Sequence, residues 1–471
     1  MRIALIHCPL GHRSFSENLK VVDEEFCLAP PIVLAYVAAI LEKAGHSVII
    51  IDANAFNLTK EKTLKILRNF APDIIGFRSD SYWFHRVVEW ATYFKNRMDA
   101  TIITGGINIS LYPKESLSYT CFDYGIAGEA VESLPQLLTA LKWHEKPDHI
   151  KGIVYRNGDE VRANPAPEKL ANFDDYPFPA RHLLPNYRYS SFASQRKNYT
   201  IMLTSTGCPY GCSFCAISRI PYRERSVKNV MDEIQECYHK YGIREFDFFD
   251  ATFFINKDKS MEICEEILKR DIRIEWSCRS RVDVIDKELL RNSFRSGCRK
   301  IYYGIESTSA EVLKTINKNI DYEQIARAIE LTRDCGIATL GFFMLGNPGD
   351  TAESVMSMID FAKKIKLDYV QVCRTIAKPN TELNDQLIRK YGVDFWKQYI
   401  LEEKSFQRLP SPWTTLSEDE IDKLMRKFYK SFYFRFSILV KRVLKLKSMD
   451  EFVRYAKVAA KWFICNQRDG V

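Results

Sequence analysis

The sequence predicts an α/β protein in three parts: a doubly wound, Rossmann-like domain, a partial (β/α)6 barrel of the TIM type, and a helical C-terminal segment. Three observations predict this. Short apolar runs alternate with helical patterns twice along the chain, and a stretch rich in Pro, Asp and Asn separates the two series. The last stretch keeps helical period with no strand-like run. The expected parts are residues 1–145, a linker over 146–195, the barrel over 196–380 and a basic helical region over 381–471.

In the first series the strand-like runs are "RIALIH", "HSVIIID", "PDIIGFR", "ATIITGG" and "FDYGIAG". Between them, "PPIVLAYVAAILEKAG" and "AVESLPQLLTAL" place apolar residues at i, i+3, i+4 and i+7, as amphipathic helices do. Strands that alternate with helices imply a parallel sheet covered on both faces, with its ligand crevice at the carboxyl ends of the strands. Gly45 stands where a C-cap glycine would end the first helix. Inside the linker, "GIVYRNGDEVRA" predicts a small hairpin, with Asn157-Gly158 as a type I′ turn signal. The second series runs "YTIMLTS", "EFDFFDA", "RIEWSCR", "KIYYGIE", "ATLGFFML" and "DYVQVCR". Helices are expected to start near Ser226, Lys257, Asp286, Tyr322 and Thr351. Six βα units without hairpin signals fit a parallel barrel, whose functional residues follow its strands.

Composition narrows the class. The chain has 471 residues, 46% hydrophobic and 27% charged, which suits a soluble globular protein of two or three domains. The start, "MRIALIHCPLG", suits a buried strand better than a signal peptide, and no apolar run reaches membrane-spanning length. Thirteen cysteines scattered through periodic segments argue for reduced thiols, hence a cytoplasmic protein. The net charge is +8; from Glu420 onward thirteen Lys/Arg face five Asp/Glu, so the surplus sits in the tail.

"TSTGCPYGCSFCAISR" carries the chemistry. Cys208, Cys212 and Cys215 crowd one glycine-bearing loop just after the first barrel strand. Structural zinc prefers four protein ligands, commonly two CxxC pairs, and no second pair is present; zinc with a distant fourth ligand is the alternative. Three thiolates on a [4Fe-4S] cluster leave one iron open for a small molecule. The spacing, with Phe214 as the aromatic residue, resembles the CxxxCxΦC signature of the radical S-adenosylmethionine superfamily. The resemblance implies that the open iron chelates S-adenosylmethionine and that reductive cleavage yields a 5′-deoxyadenosyl radical. It also implies cofactor contacts along the barrel. Asp250 would accept from the ammonium, although Ala251 stands where the family usually has a second acid. Arg281, rather than Arg279, would pair with the methionine carboxylate. Glu306 and Ser307 would reach ribose hydroxyls or the amino group, and Gly346, in "FMLGNPGDT", would let backbone approach adenine. No residue is assigned as a catalytic acid, base or nucleophile.

Over nearly its whole length the chain is similar to the cobalamin-binding subgroup of this superfamily, which includes the anaerobic magnesium-protoporphyrin IX monomethyl ester cyclase. The pieces that carry this are "APPIVLAYVAAILEKAGHSVIIIDANAFNL", "PDIIGFRSDS", "ITGGINISLYPKESL" and "DYGIAGEAVESLPQLL". The resemblance implies cobalamin held by Asp52, Arg78, Ser79, Gly105, Gly106, Gly128 and Glu129. Arg78 would lie at the lower face of the corrin or bond a propionamide. No Asp-x-His-x-x-Gly occurs, so no histidine of that motif ligates cobalt. Cys8 and Cys373, near strand ends, are expected to be buried small hydrophobes.

The implied activity is methyl transfer to an unactivated carbon, with a second S-adenosylmethionine remethylating cob(I)alamin. Ring closure or rearrangement on a tetrapyrrole or lipid is the alternative, and a cobalamin sensor with a relic barrel is the non-enzyme alternative. Methylthio transfer to tRNA fits poorly, because Cys8, Cys27 and Cys121 are widely spaced. The expected partners are a small-molecule or lipid substrate and an electron donor such as flavodoxin or ferredoxin. The tail "KFYKSFYFRFSILVKRVLKLKS" suits a helix capping the barrel or resting on a membrane surface, with nucleic acid disfavoured.

Overall fold

The computed structural model describes residues 1–9, 27–168, 172–191, 198–402 and 409–435, which form two compact units. The described residues of the first are 1–9, 30–168, 172–188, 388–402 and 409. Its strands are β1 (Arg2–His7), β2 (Ser47–Asp52), β3 (Ile74–Arg78), β4 (Thr101–Gly105), β5 (Tyr124–Ile126), β6 (Ile153–Asn157) and β7 (Glu160–Ala163). They lie side by side in the order β2-β1-β3-β4-β5-β6-β7. The first five are parallel, and β6 and β7 extend the sheet as an antiparallel hairpin. Ile3, Ala4, Leu5 and Ile6 of β1 are all buried, as a central parallel strand covered on both faces requires. Helices α1 (Ile32–Lys43), α2 (Lys60–Phe70), α3 (Phe84–Lys95) and α4 (Ala130–Lys142) supply that cover. Gly45 ends α1 at φ +84° and its N–H returns to the Glu42 carbonyl at 2.9 Å.

The chain leaves β1 to one side for β2 and returns to the other side for β3. The carboxyl ends of β1 and β3 therefore form the switch point where doubly wound sheets bind ligands.

Two details of the segment 146–195 differ from the sequence reading. Its first part is not a free connector but two strands of the first sheet. The hairpin pairs Asn157 with Glu160, so its central residues are Gly158 and Asp159, and of these only Gly158 has positive φ. Those signs belong to a type II′ turn, which needs glycine at its first central position alone.

The described residues of the second unit are 27–29, 189–191, 198–387 and 410–435. Strands β8 (Tyr199–Met202), β9 (Glu245–Phe248), β10 (Glu275–Ser280), β11 (Cys298–Glu306), β12 (Ala338–Leu345) and β13 (Tyr369–Arg374) lie in sequence order, all parallel. Helices α5 (Val227–Lys240), α6 (Lys257–Lys269), α7 (Lys287–Arg295), α8 (Tyr322–Asp334) and α9 (Ala352–Lys364) connect them. Alternate residues Phe246, Phe248, Trp276, Cys278, Ile301, Tyr303 and Ile305 join one continuous apolar core with these helices. On β9, β10 and β11 the opposite parity carries Asp247, Ser277, Arg279, Lys300 and Tyr302, so these strands turn polar side chains to the other face.

An open sheet leaves edges. Helix α10 (Glu418–Tyr433) buries Ile421, Met425, Phe428, Tyr429 and Phe432, a stripe of helical period, against the core. From that stripe Tyr429 Oη accepts from the Val372 N–H at 2.9 Å and donates to the Val372 carbonyl at 3.1 Å. Tyr433 does the same for Val370, at 3.0 and 2.7 Å. Two tyrosines thus occupy the hydrogen-bonding edge of β13 that a next strand would take. This is the capping role expected of the tail; its remainder, from residue 436, lies outside the described residues. No helix among the described residues is long and apolar enough to cross a membrane.

Tyr429→Phe keeps the ring but strands a buried N–H and C=O, so it is expected to destabilise the second unit by about 1–3 kcal/mol in urea denaturation. Tyr433→Phe, at a partly exposed position, is expected to cost less.

Candidate functional site

The site begins where β8 ends. Ser205–Thr206 pairs antiparallel with Arg223–Glu224 and closes the loop that carries Cys208, Cys212 and Cys215. Asp250, just past β9, clamps the entry. Its carboxylate accepts from Thr204 N at 2.9 Å, Thr204 Oγ1 at 3.1 Å, Ser205 Oγ at 2.8 Å and also from Ser205 N. Gly207 turns the chain at φ +76°, where a Cβ would run into the carbonyl oxygens of Ile220 and Pro221. Further bonds pin the loop: Ser213 N to Ile316 O (3.0 Å), Asn317 Nδ2 to Gly211 O (2.7 Å) and Leu383 N to Ser213 O (3.1 Å). Phe214 packs half-buried on the barrel core.

Burial pushes the Cys208 and Cys212 thiols above their ordinary range, while the Arg281 and Lys318 cations pull them down. The Arg281 guanidinium lies 3.9 Å above the Tyr210 ring, between the first two cysteines. Ser213 Oγ, next to Cys212 and 7% exposed, has no hydrogen-bond partner among the described residues. A buried hydroxyl donor beside three thiols fits a site meant to hold a sulfur-rich anion. Among the described residues no three His, Cys, Asp or Glu side chains converge as ligands of one metal ion would. Three thiolates that each bind a different iron of a cubane need no such convergence.

The other barrel residues named from the sequence follow their strands, but several have partners of their own. Asp250 does not present a free carboxylate to an ammonium, because its oxygens are taken by the loop entry. Arg281 does not present a free fork to a carboxylate: Nε and Nη2 bond Asp283 at 2.8 Å each, and Nη2 also bonds the Lys318 carbonyl. Arg279 is likewise paired with Asp247, at 2.7 and 3.0 Å. At Gly346 the carbonyl accepts from Trp413 Nε1 and a Cβ would strike Ile421. Glu306 is held at φ +64°, a strained conformation for glutamate, with its carboxylate 3.2 Å from Lys318 Nζ. Ser307 is fully buried beside it.

Lys318, Asp247, Lys300 and Tyr302 escaped the sequence reading. The last three share the polar parity of β9 and β11, a signal visible as charged residues at alternate positions of otherwise apolar strands. Lys318 had no such signal, since it lies in a turn. Cys373 also needs correction. It is exposed, because β13 alternates Val370 and Val372 into the core and turns residue 373 the other way. Cys8 is buried, as expected.

In the first unit Arg78, the last residue of β3, and Ser79, just past it, stand at the switch point. Arg78 is half-exposed and bonds Asp80 at 3.0 Å. Ser79 Oγ bonds Thr104 Oγ1 at 2.6 Å. Gly105 ends β4, and Gly106, at φ +117°, leaves room for the Ser79 carbonyl. Gly128 similarly makes room for Pro167. Asp52 caps the turn after β2, accepting from Ala55 N at 2.9 Å, and Glu129 accepts from Tyr176 Oη at 2.5 Å. Gly106, Gly128 and Glu129 thus each meet a partner within the fold. Two polar atoms fit a bound cofactor better. Ser81 Oγ and Asn108 Oδ1 are buried after β3 and β4 with no hydrogen-bond partner among the described residues.

Comparison with known proteins places these features. The Radical SAM superfamily model matches residues 202–362, and the B12 binding domain model matches residues 27–138. An uncharacterized methyltransferase of Pyrococcus horikoshii is 30% identical over 428 residues, covering 88% of this chain and 90% of that protein. The anaerobic magnesium-protoporphyrin IX monomethyl ester cyclase of Rubrivivax gelatinosus is 28% identical over 381 residues, covering 79% and 68%. The solved structure of the cobalamin-dependent S-adenosylmethionine radical enzyme OxsB, with aqua-cobalamin and S-adenosylmethionine bound, superposes with a TM-score of 0.70 at 19% identity. It covers 98% of this chain and 71% of that one, and shows the shared fold. With the cysteine loop at a parallel barrel and a doubly wound partner domain, the chain belongs to the B12-binding branch of the radical S-adenosylmethionine superfamily, whose cofactors are a [4Fe-4S] cluster, S-adenosylmethionine and cobalamin.

Proposed function

We propose that this enzyme methylates an unactivated carbon of a small molecule or lipid. The observation that carries the reading is the loop of Cys208, Cys212 and Cys215, held rigidly at the barrel and flanked by two buried cations. Similarity to a methyltransferase over nine-tenths of that protein's length favours methyl transfer. When bound, the cluster supplies the electron that cleaves S-adenosylmethionine to a hydrogen-abstracting radical, and the corrin supplies the methyl group.

The chain's own residues bind, orient and exclude water. Cys208, Cys212 and Cys215 would each hold one iron and leave the fourth open. Asp250 fixes the loop entry and the Ser213 hydroxyl is free to donate toward sulfur. Glu306 and Lys318 form a buried pair of opposite charges, suited to the ammonium and carboxylate of the methionine end. In the first unit Arg78, Ser79, Ser81 and Asn108 would meet the corrin side chains at the switch point. The reductant is proposed to be a low-potential carrier such as flavodoxin or ferredoxin. Peripheral membrane contact through the basic tail would serve a lipid substrate.

A second reading, oxidative ring closure on a tetrapyrrole, is favoured by the likeness to the cyclase.

Cys212→Ala is expected to abolish 5′-deoxyadenosine formation while leaving cobalamin binding unchanged in anaerobic titration; joint loss of both would contradict separate sites. Reduced enzyme given methyl-deuterated S-adenosylmethionine and an extract of cells lacking it is expected to produce a deuterated methyl product by mass spectrometry. An unlabelled product two hydrogens lighter would select ring closure.

A further inference from the structure

Two cations, Arg281 and Lys318, are buried beside the cysteine loop, only 4% and 6% exposed. Burying a charge costs free energy unless it meets an opposite charge. Each has one: Arg281 is forked onto Asp283, and Lys318 Nζ lies 3.2 Å from Glu306. The chain holds the Glu306–Lys318 pair in place by uncommon means. Glu306 takes a left-handed φ of +64° at an irregularity in the β11–β12 register. Gly304 keeps the space open, since a Cβ there would lie 2.6 Å from Glu306 Oε1 and 2.8 Å from Lys318 Nζ.

The two pairs also interlock. Arg281 Nη2 bonds the Lys318 carbonyl at 2.8 Å, and its guanidinium stacks on Tyr210, between Cys208 and Cys212. Two residues before Lys318, the Ile316 carbonyl accepts from Ser213 N, which directly follows Cys212. Asn317, next to Lys318, also bonds the Gly211 carbonyl, so the turn that carries Lys318 is tied to the loop on both sides of Cys212.

We infer that Lys318 and Arg281, each backed by its own carboxylate, set the reduction potential of the cluster held by Cys208, Cys212 and Cys215. The inference rests on the cluster reading above. A one-electron reduction by a low-potential donor adds one negative charge to the cluster and its thiolates. A buried cation nearby stabilises the reduced form more than the oxidised one, and the low local dielectric magnifies the difference. Lys318 and Arg281 thus make the reduction that precedes S-adenosylmethionine cleavage easier.

The test is an EPR-monitored redox titration of the anaerobically reconstituted full-length protein, with iron and sulfide content measured for each variant. Lys318→Gln is expected to shift the midpoint to more negative potential and Lys318→Arg to leave it near the wild-type value. Glu306→Gln removes the opposing anion and is expected to shift it to more positive potential. A structural role alone would not give shifts of opposite sign. Unchanged midpoints at full iron content, or shifts of the same sign, would overturn the inference. If Lys318→Gln does not retain iron, the sign of the Glu306→Gln shift decides. Failure of the wild-type protein to assemble any cluster would instead overturn the reading on which the inference rests.

Discussion

Three thiols on one short loop are an unfavourable arrangement. Desolvation opposes their ionisation and, once ionised, they repel one another. The organisation at this end of the second unit answers that constraint. The loop is closed at its base by a two-residue antiparallel bridge and clamped there by the Asp250 carboxylate, with Gly207 permitting the turn. Its middle is tied to the turn after β11 and to the segment after β13. Arg281 and Lys318 then supply positive charge from neighbouring turns. Rigidity and charge come from different elements, and both meet at the cysteines.

The barrel sheet divides its labour by parity. One set of alternate side chains packs against the helices in a dry core, while on β9 and β10 the other set forms an ion and hydroxyl network. Asp247 lies at the middle of that network, bonding Arg279, Ser277 and Tyr199. Arg279 in turn stacks on Phe249, whose ring is 45% exposed. In the first unit the strand order concentrates the ligand-facing positions at the ends of β1 and β3. The unpartnered hydroxyl of Ser81 stands there, past β3.

Much of this was legible in the sequence. The two strand series, the cap at Gly45 and the cysteine loop all depend on local pattern, and local pattern is what periodicity and spacing report. The helix starts at Ser226, Asp286 and Thr351 are N-caps whose side chains accept from the first turn. Partnership was not legible. Asp250, Arg281 and Gly346 stand after the right strands, but whether their polar groups face a ligand or the fold depends on residues distant in sequence, such as Thr204 and Trp413. Lys318 was missed because it belongs to no strand or motif, and its importance arises only when a turn folds back beside Glu306. Tyr429 and Tyr433 were read as part of a basic aromatic tail; their use as caps for the β13 edge needed the sheet to be seen open on that side.

The central claim is that these three cysteines hold a cluster with one iron left open to a small molecule. The most direct measurement is iron and sulfide analysis of anaerobically prepared protein, followed by EPR of the dithionite-reduced sample with and without S-adenosylmethionine. The account predicts about four iron and four sulfide per chain and a reduced-cluster signal that changes when S-adenosylmethionine is added. Bound zinc, or a cluster signal indifferent to S-adenosylmethionine, would contradict it.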